Sequence, residues 1–103
     1  MKGAYQLTAT ARSQIEHIVS HIARDSTTAA LRVVDDLIAA FGVIAEHPGF
    51  GHLREDLTDK PLRFYRVHNY LIVYRAEPAP VVIARVYHGA QDVASELAHS
   101  TDI

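Results

Sequence analysis

Three arginines and one histidine lie in segments whose composition favours β-strands, namely Arg63, Arg66, Arg85 and His88. Guanidinium groups hold phosphates through paired hydrogen bonds, and an imidazole exchanges protons near neutral pH. If the strands bring these four side chains to one exposed face, the sequence predicts a site where arginines bind RNA phosphates and His88 assists cleavage.

A structural role for the same arginines is the alternative, and we favour it. On this interpretation Arg85 or Arg63 pairs with Glu55, Asp56 or Asp92 and fastens a loop and the C-terminal tail to the sheet. A partly buried guanidinium is usually satisfied in this way, because a buried charge without a partner is costly.

Histidines and tyrosines offer weaker signals. His17 and His21 are one helical turn apart, a spacing that can chelate zinc, but no third ligand accompanies them, so we expect a solvated helix face and no metal or cofactor. Four tyrosines fall in the predicted strands. They are Tyr65, Tyr70, Tyr74 and Tyr87. Stacking on bases is conceivable for them, but core or cross-strand packing is far more common.

Composition limits the classes of protein that this chain can belong to. With 103 residues, 49% hydrophobic and 21% charged, we expect one globular domain over residues 1–103. The net charge of −2 does not imply non-specific binding of nucleic acid. The absence of cysteine, signal peptide and membrane span favours the cytoplasm, and the familiar phosphate-loop and nucleophile-elbow motifs are missing.

The first half of the chain predicts two helices after a short strand. Tyr5 to Thr8 alternates as a strand does, and Thr8 or Thr10 is positioned to cap a helix. Apolar residues at helical spacing then predict one stripe on each helix. These are Ile15, Ile18, Val19 and Ile22 on the first, and Leu31, Val34, Leu37, Ile38, Phe41 and Ala45 on the second. Pro48 and Gly49 predict that the second helix ends near His47.

The second half predicts three strands joined as a meander. They are expected at 62–67, 70–75 and 81–87, with a tight turn at His68-Asn69 in which Asn69 tolerates positive φ. We expect 51–60 to be an ordered loop, 90–97 to add a helical turn or two, and 98–103 to fray. The predicted fold class is α+β in the order β-α-α-β-β-β, a two-helix hairpin on a mainly antiparallel twisted sheet whose last strand is buried on both sides.

Four motifs in this order resemble the ParE toxins of the ParE/RelE superfamily. They are Tyr5-x-Leu7-Thr8, Ala45-x-x-Pro48-x-x-Gly51-x-x-Arg54-x-Asp56-Leu57, Arg63 followed by Tyr70-x-Ile72-x-Tyr74, and Arg85-Val86-x-His88-Gly89-x-x-Asp92. The resemblance extends from Tyr5 to Leu97. It departs from the family at Ala90 and Gln91, where many relatives carry basic residues.

The resemblance implies the toxin of a type II toxin–antitoxin system, with growth inhibition and plasmid stabilisation as its biological effects. It implies a ParD-like antitoxin as partner in a hetero-oligomer and DNA gyrase as the target, inhibited by binding rather than by catalysis. The candidate residues for target contact are Arg63, Arg66, Arg85, His88 and Gln91.

Two other functions remain open from the sequence. The RelE branch shares the fold but cleaves messenger RNA on the ribosome, and in that case Arg63, Arg85 and His88 would be the catalytic residues. Only two lysines accompany them, so few positive groups are present to stabilise the negative charge of the transition state for cleavage. A binding module without toxicity is the third possibility.

Overall fold

The computed structural model describes residues 4–89 and 91–103. In chain order the elements are β1 (Tyr5–Leu7), α1 (Ala9–Ala23), α2 (Thr27–Glu46), β2 (His52–Leu53), β3 (Arg63–Val67), β4 (Tyr70–Arg75), β5 (Val81–His88) and α3 (Val93–Ala98). The predicted α+β class and element order are confirmed. Strand β2 is an addition, since it lies within the segment expected to be an ordered loop.

Side-chain caps fix where the two long helices begin. The Thr8 hydroxyl accepts a hydrogen bond from the backbone N–H of Ala11, and Ser26 does the same for Ala29. These bonds satisfy backbone donors that the first turn of a helix leaves unpaired. Of the two caps predicted for α1, Thr8 is therefore the correct one.

The five strands form one sheet in the order β1-β5-β4-β3-β2. Strand β1 pairs with β5 in parallel, and the other three pairings are antiparallel. Central strand β5 is buried on both faces, as its apolar sequence predicted. In the tight turn between β3 and β4 the positive φ of 54° belongs to His68, so the assignment of that conformation to Asn69 was wrong.

Helices α1 and α2 cover one face of the sheet and form the larger core. Leu37, Phe41 and Ile44 of α2 are buried there against Ile72 and Ile83 of the central strands. The predicted stripe of α2 is only partly correct, because the side chains of Leu31 and Ile38 are 60% and 53% exposed.

The opposite face carries a second, smaller core beneath α3 and the C-terminal tail. Val93 and Leu97 of α3 pack on Phe64, Val73 and Tyr87, and Ile103 joins this cluster. Residues 98–103, which the sequence predicted to fray, fold back against the sheet. No helix within the described ranges is long and apolar enough to cross a membrane.

Candidate functional site

Arg85 lies on the face that α3 and the tail cover, and only 6% of it is exposed. Its Nη1 donates to the carbonyl oxygen of Ala84 at 2.7 Å, and its Nη2 donates to Asp102 Oδ1 at 2.7 Å and to Ser100 Oγ at 3.4 Å. The guanidinium thus fastens the C-terminal tail to the sheet. This is the structural role favoured from the sequence, with Asp102 as the partner in place of Glu55, Asp56 or Asp92.

Lys60 holds the same tail from a second side. Its Nζ donates to the carbonyl oxygens of Leu97 at 3.0 Å and Ser100 at 2.6 Å. Tyr87 is fully buried under this cover, and burial raises the pKa of its hydroxyl, an effect that the nearby Arg85 charge opposes. The two cations therefore face the protein's own carbonyls and carboxylate instead of a free surface.

Arg63 organises the connection that follows α2. Its Nη1 donates to the carbonyl oxygen of Gly51 at 2.9 Å. The Tyr74 hydroxyl, which belongs to the neighbouring strand, donates to the carbonyl of Pro48 at 2.7 Å and accepts from the N–H of Gly51 at 2.7 Å. Burial raises the pKa of Tyr74 despite that N–H and the charge of Arg63. These bonds tie residues 48–51 to the sheet.

Two of the acidic residues expected to pair with Arg63 or Arg85 interact with other residues. Asp56 forms a solvent-exposed ion pair with Arg54 at 2.7 Å, and this contact lowers the pKa of the Asp56 carboxyl. Asp92 caps α3 by accepting from the N–H of Ser95 at 3.2 Å. Asp56 and Asp92 therefore bind close neighbours in sequence.

The strand register separates the four residues that were expected to converge. Arg63 lies opposite Tyr74 and His88 lies opposite Tyr70, so both are on the helix-covered face but at opposite ends of β4. Arg66 and Arg85 lie on the other face, opposite Leu71 and Val73. The structure does not bring these side chains to one exposed face.

His88 and Gln91 are exposed and close together at the end of β5. Gln91 Oε1 accepts a hydrogen bond from the backbone N–H of His88 at 2.7 Å, and the His88 ring meets the Tyr70 ring edge-on at 5.7 Å. His88 also contributes to a depression of about 280 Å³ together with His17 and His21 of α1. Within the described ranges, no group of three or more His, Cys, Asp or Glu side chains is arranged to hold a metal ion.

A sequence model described as the ParE toxin of the type II toxin–antitoxin system parDE matches residues 5–93. The chain belongs to the ParE toxin family. Among solved structures it is similar to one titled as the chromosomal ParDE system from P. aeruginosa, with a TM-score of 0.69 and 16% identity over 84% of this chain and 96% of that one. No curated protein gives a significant sequence match.

This ParE-type toxin also exposes large apolar side chains. Leu31 and Ile38 are seven residues apart on α2 and so share one helix face. Phe50 precedes β2 and Leu53 belongs to it, and their side chains are 50% and 54% exposed. The ring centroid of Phe50 lies 5.4 Å from that of Tyr65. Sequence reasoning had placed Leu31 and Ile38 in the core.

The sequence analysis did not identify Gln14 and Gln91 as hydrogen-bond acceptors for backbone N–H groups of the sheet. Gln14 of α1 accepts from the backbone N–H of Val86 at 2.8 Å, in the way that Gln91 accepts from His88. The spacing of Gln14, His17 and His21 along α1 was the available signal, since residues three and seven apart lie on one side of a helix. All three line the depressions beside β5.

Proposed function

We propose that this ParE-type toxin inhibits DNA gyrase by binding to it, and that a ParD-like antitoxin neutralises it in a hetero-oligomer. Membership of the ParE family supports the role as a toxin and the existence of an antitoxin partner. The observation that favours binding over catalysis is the separation of the basic residues across the two faces of the sheet.

Cleavage of RNA without a metal ion requires several positive groups and a proton donor around one phosphate. Here Arg85 is committed to Asp102 and Arg63 to the carbonyl of Gly51. The exposed Arg66 lies on the face opposite His88. This arrangement disfavours the RelE-like interferase, in which Arg63, Arg85 and His88 would act together.

We assign target contact to the exposed members of the candidate set, Arg66, His88 and Gln91, and a structural role to Arg63 and Arg85. Exposed arginines and histidines are available to a macromolecular partner, whereas substitution of a buried arginine changes the fold first. Loss of toxicity on substitution of Arg85 would therefore need a stability measurement before any functional interpretation.

The decisive experiment adds the purified chain to DNA gyrase with supercoiled plasmid and, in parallel, to a translating ribosome extract with labelled messenger RNA. We expect linear plasmid linked to protein and an intact message. Cleaved message with normal supercoiling would assign the chain to the interferase branch. Activity in neither assay would reject both targets.

Variants then locate the contact surface. We expect Arg66→Ala and His88→Ala to reduce plasmid linearisation, while Arg32→Ala, on the exposed surface of α2, leaves it unchanged. Melting temperatures within a few degrees of the parent protein would verify that each variant is folded. Equal activity in all three variants would exclude Arg66 and His88 from target contact.

The exposed apolar residues support a partner protein. Leu31, Ile38, Phe50 and Leu53 are each at least half exposed, and exposed apolar groups of this kind often mark protein–protein contacts. Co-expression with the antitoxin gene adjacent to the toxin gene should yield a complex that survives size-exclusion chromatography. Separate elution of the two proteins would contradict the pairing.

A further inference from the structure

Two cations and a tyrosine hydroxyl lie under the C-terminal tail. Arg85 Nη2 and Lys60 Nζ donate to the same residue of the tail, Ser100, through its hydroxyl at 3.4 Å and its carbonyl oxygen at 2.6 Å. Tyr87 is two residues from Arg85 on β5, so both side chains are on this face of the sheet. One short segment therefore covers all three groups.

These groups have more capacity to donate hydrogen bonds than the tail uses. Lys60 Nζ donates only to carbonyl oxygens, so within the described ranges the Asp102 carboxylate is the one anionic partner of the two cations. Tyr87 Oη is buried and has no hydrogen-bond partner among the described residues. A buried polar group without a partner is costly. One carboxylate thus serves two positive charges and leaves a buried hydroxyl unsatisfied.

A phosphate group matches these donors better than a carboxylate does. Its dianionic form balances two positive charges, and its three oxygens are strong acceptors. Arginine binds phosphate through paired hydrogen bonds and lysine binds it as a point charge, while a tyrosine hydroxyl adds a further donor. Glu96 of α3 is another acid whose charge acts on the Tyr87 hydroxyl, but it is exposed, so solvent screens its charge.

The segment that covers the three groups is held by few contacts. Beyond Ser100, the described tail is attached by the Asp102 side chain and by the packing of Ile103 on the smaller core. The Asp102 side chain is 53% exposed, and the helix that precedes the tail has only six residues. Segments with few buried contacts open locally at low cost in free energy.

We propose that Arg85, Lys60 and Tyr87 form a binding site for a phosphate group, which the Asp102 carboxylate occupies until the tail detaches. With the tail in place Arg85 keeps its structural role, and the tail acts as an internal competitor of the ligand. The balance of charge specifies a dianion, either free phosphate or a phosphate monoester such as that of a nucleotide. The inference goes beyond the proposed function, because it invokes neither gyrase nor the antitoxin.

Removal of the competing carboxylate tests the site. Inorganic phosphate is titrated into labelled protein at constant ionic strength, and amide NMR signals report both the position and the affinity of binding. We expect Asp102→Asn to bind at least about tenfold more tightly than the parent protein, because a tethered group competes at an effective concentration of about millimolar. Asp25→Asn, at the exposed turn between α1 and α2, makes the same change in net charge and should bind as the parent does. Equal affinities for the two variants would overturn occupation of the site by Asp102.

Tyr87→Phe distinguishes a binding role of the hydroxyl from a structural one. In the Asp102→Asn protein it should weaken phosphate binding by about three- to tenfold, which corresponds to one net hydrogen bond. In the parent protein without phosphate it should leave the melting temperature unchanged or raise it, since the hydroxyl has no partner to lose. Unchanged affinity together with a lower melting temperature would overturn the assignment of Tyr87 to the site.

The unmodified protein provides a measurement that does not depend on the folding of a variant. If phosphate and the tail compete, high phosphate should move the amide signals of Thr101 and Asp102 toward those of an unfolded chain, and sodium chloride of equal ionic strength should not. Saturation of the signals of Arg85 and Tyr87 with an unmoved tail would overturn the competition. The absence of saturable shifts in both the parent protein and Asp102→Asn would overturn the site itself.

Ligands of different charge identify the source of the phosphate. Adenosine monophosphate carries a monoester, and a dinucleotide without terminal phosphates carries only a diester with a single negative charge. We expect Asp102→Asn to bind inorganic phosphate and the monoester more tightly than the diester, because only the first two can balance both cations. Tighter binding of the monoester than of inorganic phosphate would indicate a nucleotide as the ligand, and the reverse order would indicate free phosphate. Binding of the diester as tight as that of the monoester would overturn the requirement for a dianion.

Discussion

The two faces of the sheet are covered by different means. On one, α1 and α2 contribute 15 and 20 residues, and their apolar side chains form the larger core. On the other, α3 has only six residues, and the tail that follows it is held by Arg85 and Lys60. The first cover depends on burial of apolar area, whereas the second adds charge-assisted hydrogen bonds to a small core.

This difference changes how the arginines of the sheet are interpreted. A short helix and a tail bury little apolar surface, so a buried guanidinium that binds a tail carboxylate adds to their attachment. Arg85 therefore has a role in the fold as the attachment point of the C-terminal tail. Variants of matched type in the two covers would separate their contributions to stability.

The largest expected effect is loss of packing beneath the helices. Leu37 is 1% exposed in the larger core, and Leu37→Ala should lower the free energy of unfolding by about 2–5 kcal/mol through lost transfer energy and the cavity left behind. Urea unfolding monitored by circular dichroism measures the change. Leu31→Ala is the matched control on the same helix, and it should change stability by less than about 0.5 kcal/mol because Leu31 is exposed.

A second prediction concerns the junction that Arg63 and Tyr74 hold on the same face. A Cβ at Gly51 would lie 2.7 Å from Tyr74 Oη and 2.9 Å from the backbone oxygen of Phe64. Gly51→Ala should therefore destabilise the fold by about 1–3 kcal/mol, as overpacking does. Gly49→Ala is the control, since nothing lies within 4 Å of its added Cβ. Equal midpoints in denaturant for the two variants would contradict this close approach.

Loss of packing beneath α3 should cost less than the same change beneath α2. Leu97 is fully buried, but α3 has only six residues, so we expect it to detach locally without unfolding the rest of the protein, which would limit the penalty. We expect Leu97→Ala to lower stability by about 1–2 kcal/mol, less than a typical buried leucine truncation. Faster amide exchange confined to α3 and the tail would accompany it. A loss equal to that of Leu37→Ala would mean that both covers unfold as one unit.

The parts of the fold that the sequence predicted are those governed by local pattern. Helical spacing gave Leu37, Phe41 and Ala45 as buried, and the apolar run from Val81 to Val86 gave the central strand. Helical spacing wrongly placed Leu31 and Ile38 in the core. Periodicity identifies the apolar side of a helix but not how much of that side is buried.

Contacts between residues far apart in the sequence could not be predicted from local patterns. Either Arg85 or Arg63 was expected to fasten the tail, and Arg85 does so, but its partner Asp102 is 17 residues away and was not among the acids considered. The register that separates Arg63 from His88, and the pairing of Gln14 with Val86, depend on how β1, β4 and β5 align in three dimensions. No spacing within one segment carries that information.

The smallest effect, and the most specific to the second cover, concerns Asp102. Asp102→Asn removes the carboxylate from a guanidinium whose side chain is only 7% exposed, while Asp102 itself is 53% exposed. Solvent access to Asp102 moderates the loss, so we expect about 0.5–1 kcal/mol at neutral pH, the upper part of the range for exposed ion pairs. Exchange should quicken at α3 and the tail, and α2 should be unaffected.

The pH dependence of that loss identifies its cause. The hydrogen bond from Arg85 lowers the pKa of Asp102 below its ordinary value of 3.8, so the folded protein holds the carboxylate form more firmly than the unfolded chain does. The stabilisation is complete above the ordinary pKa and is lost as pH falls through the lower, folded value. The difference in unfolding free energy between the parent protein and Asp102→Asn should therefore be constant from pH 7 to about 5 and shrink below pH 4. A difference that persisted undiminished in acid would mean that the asparagine disturbs the packing of the tail, and that the charge of Asp102 does not hold it in place.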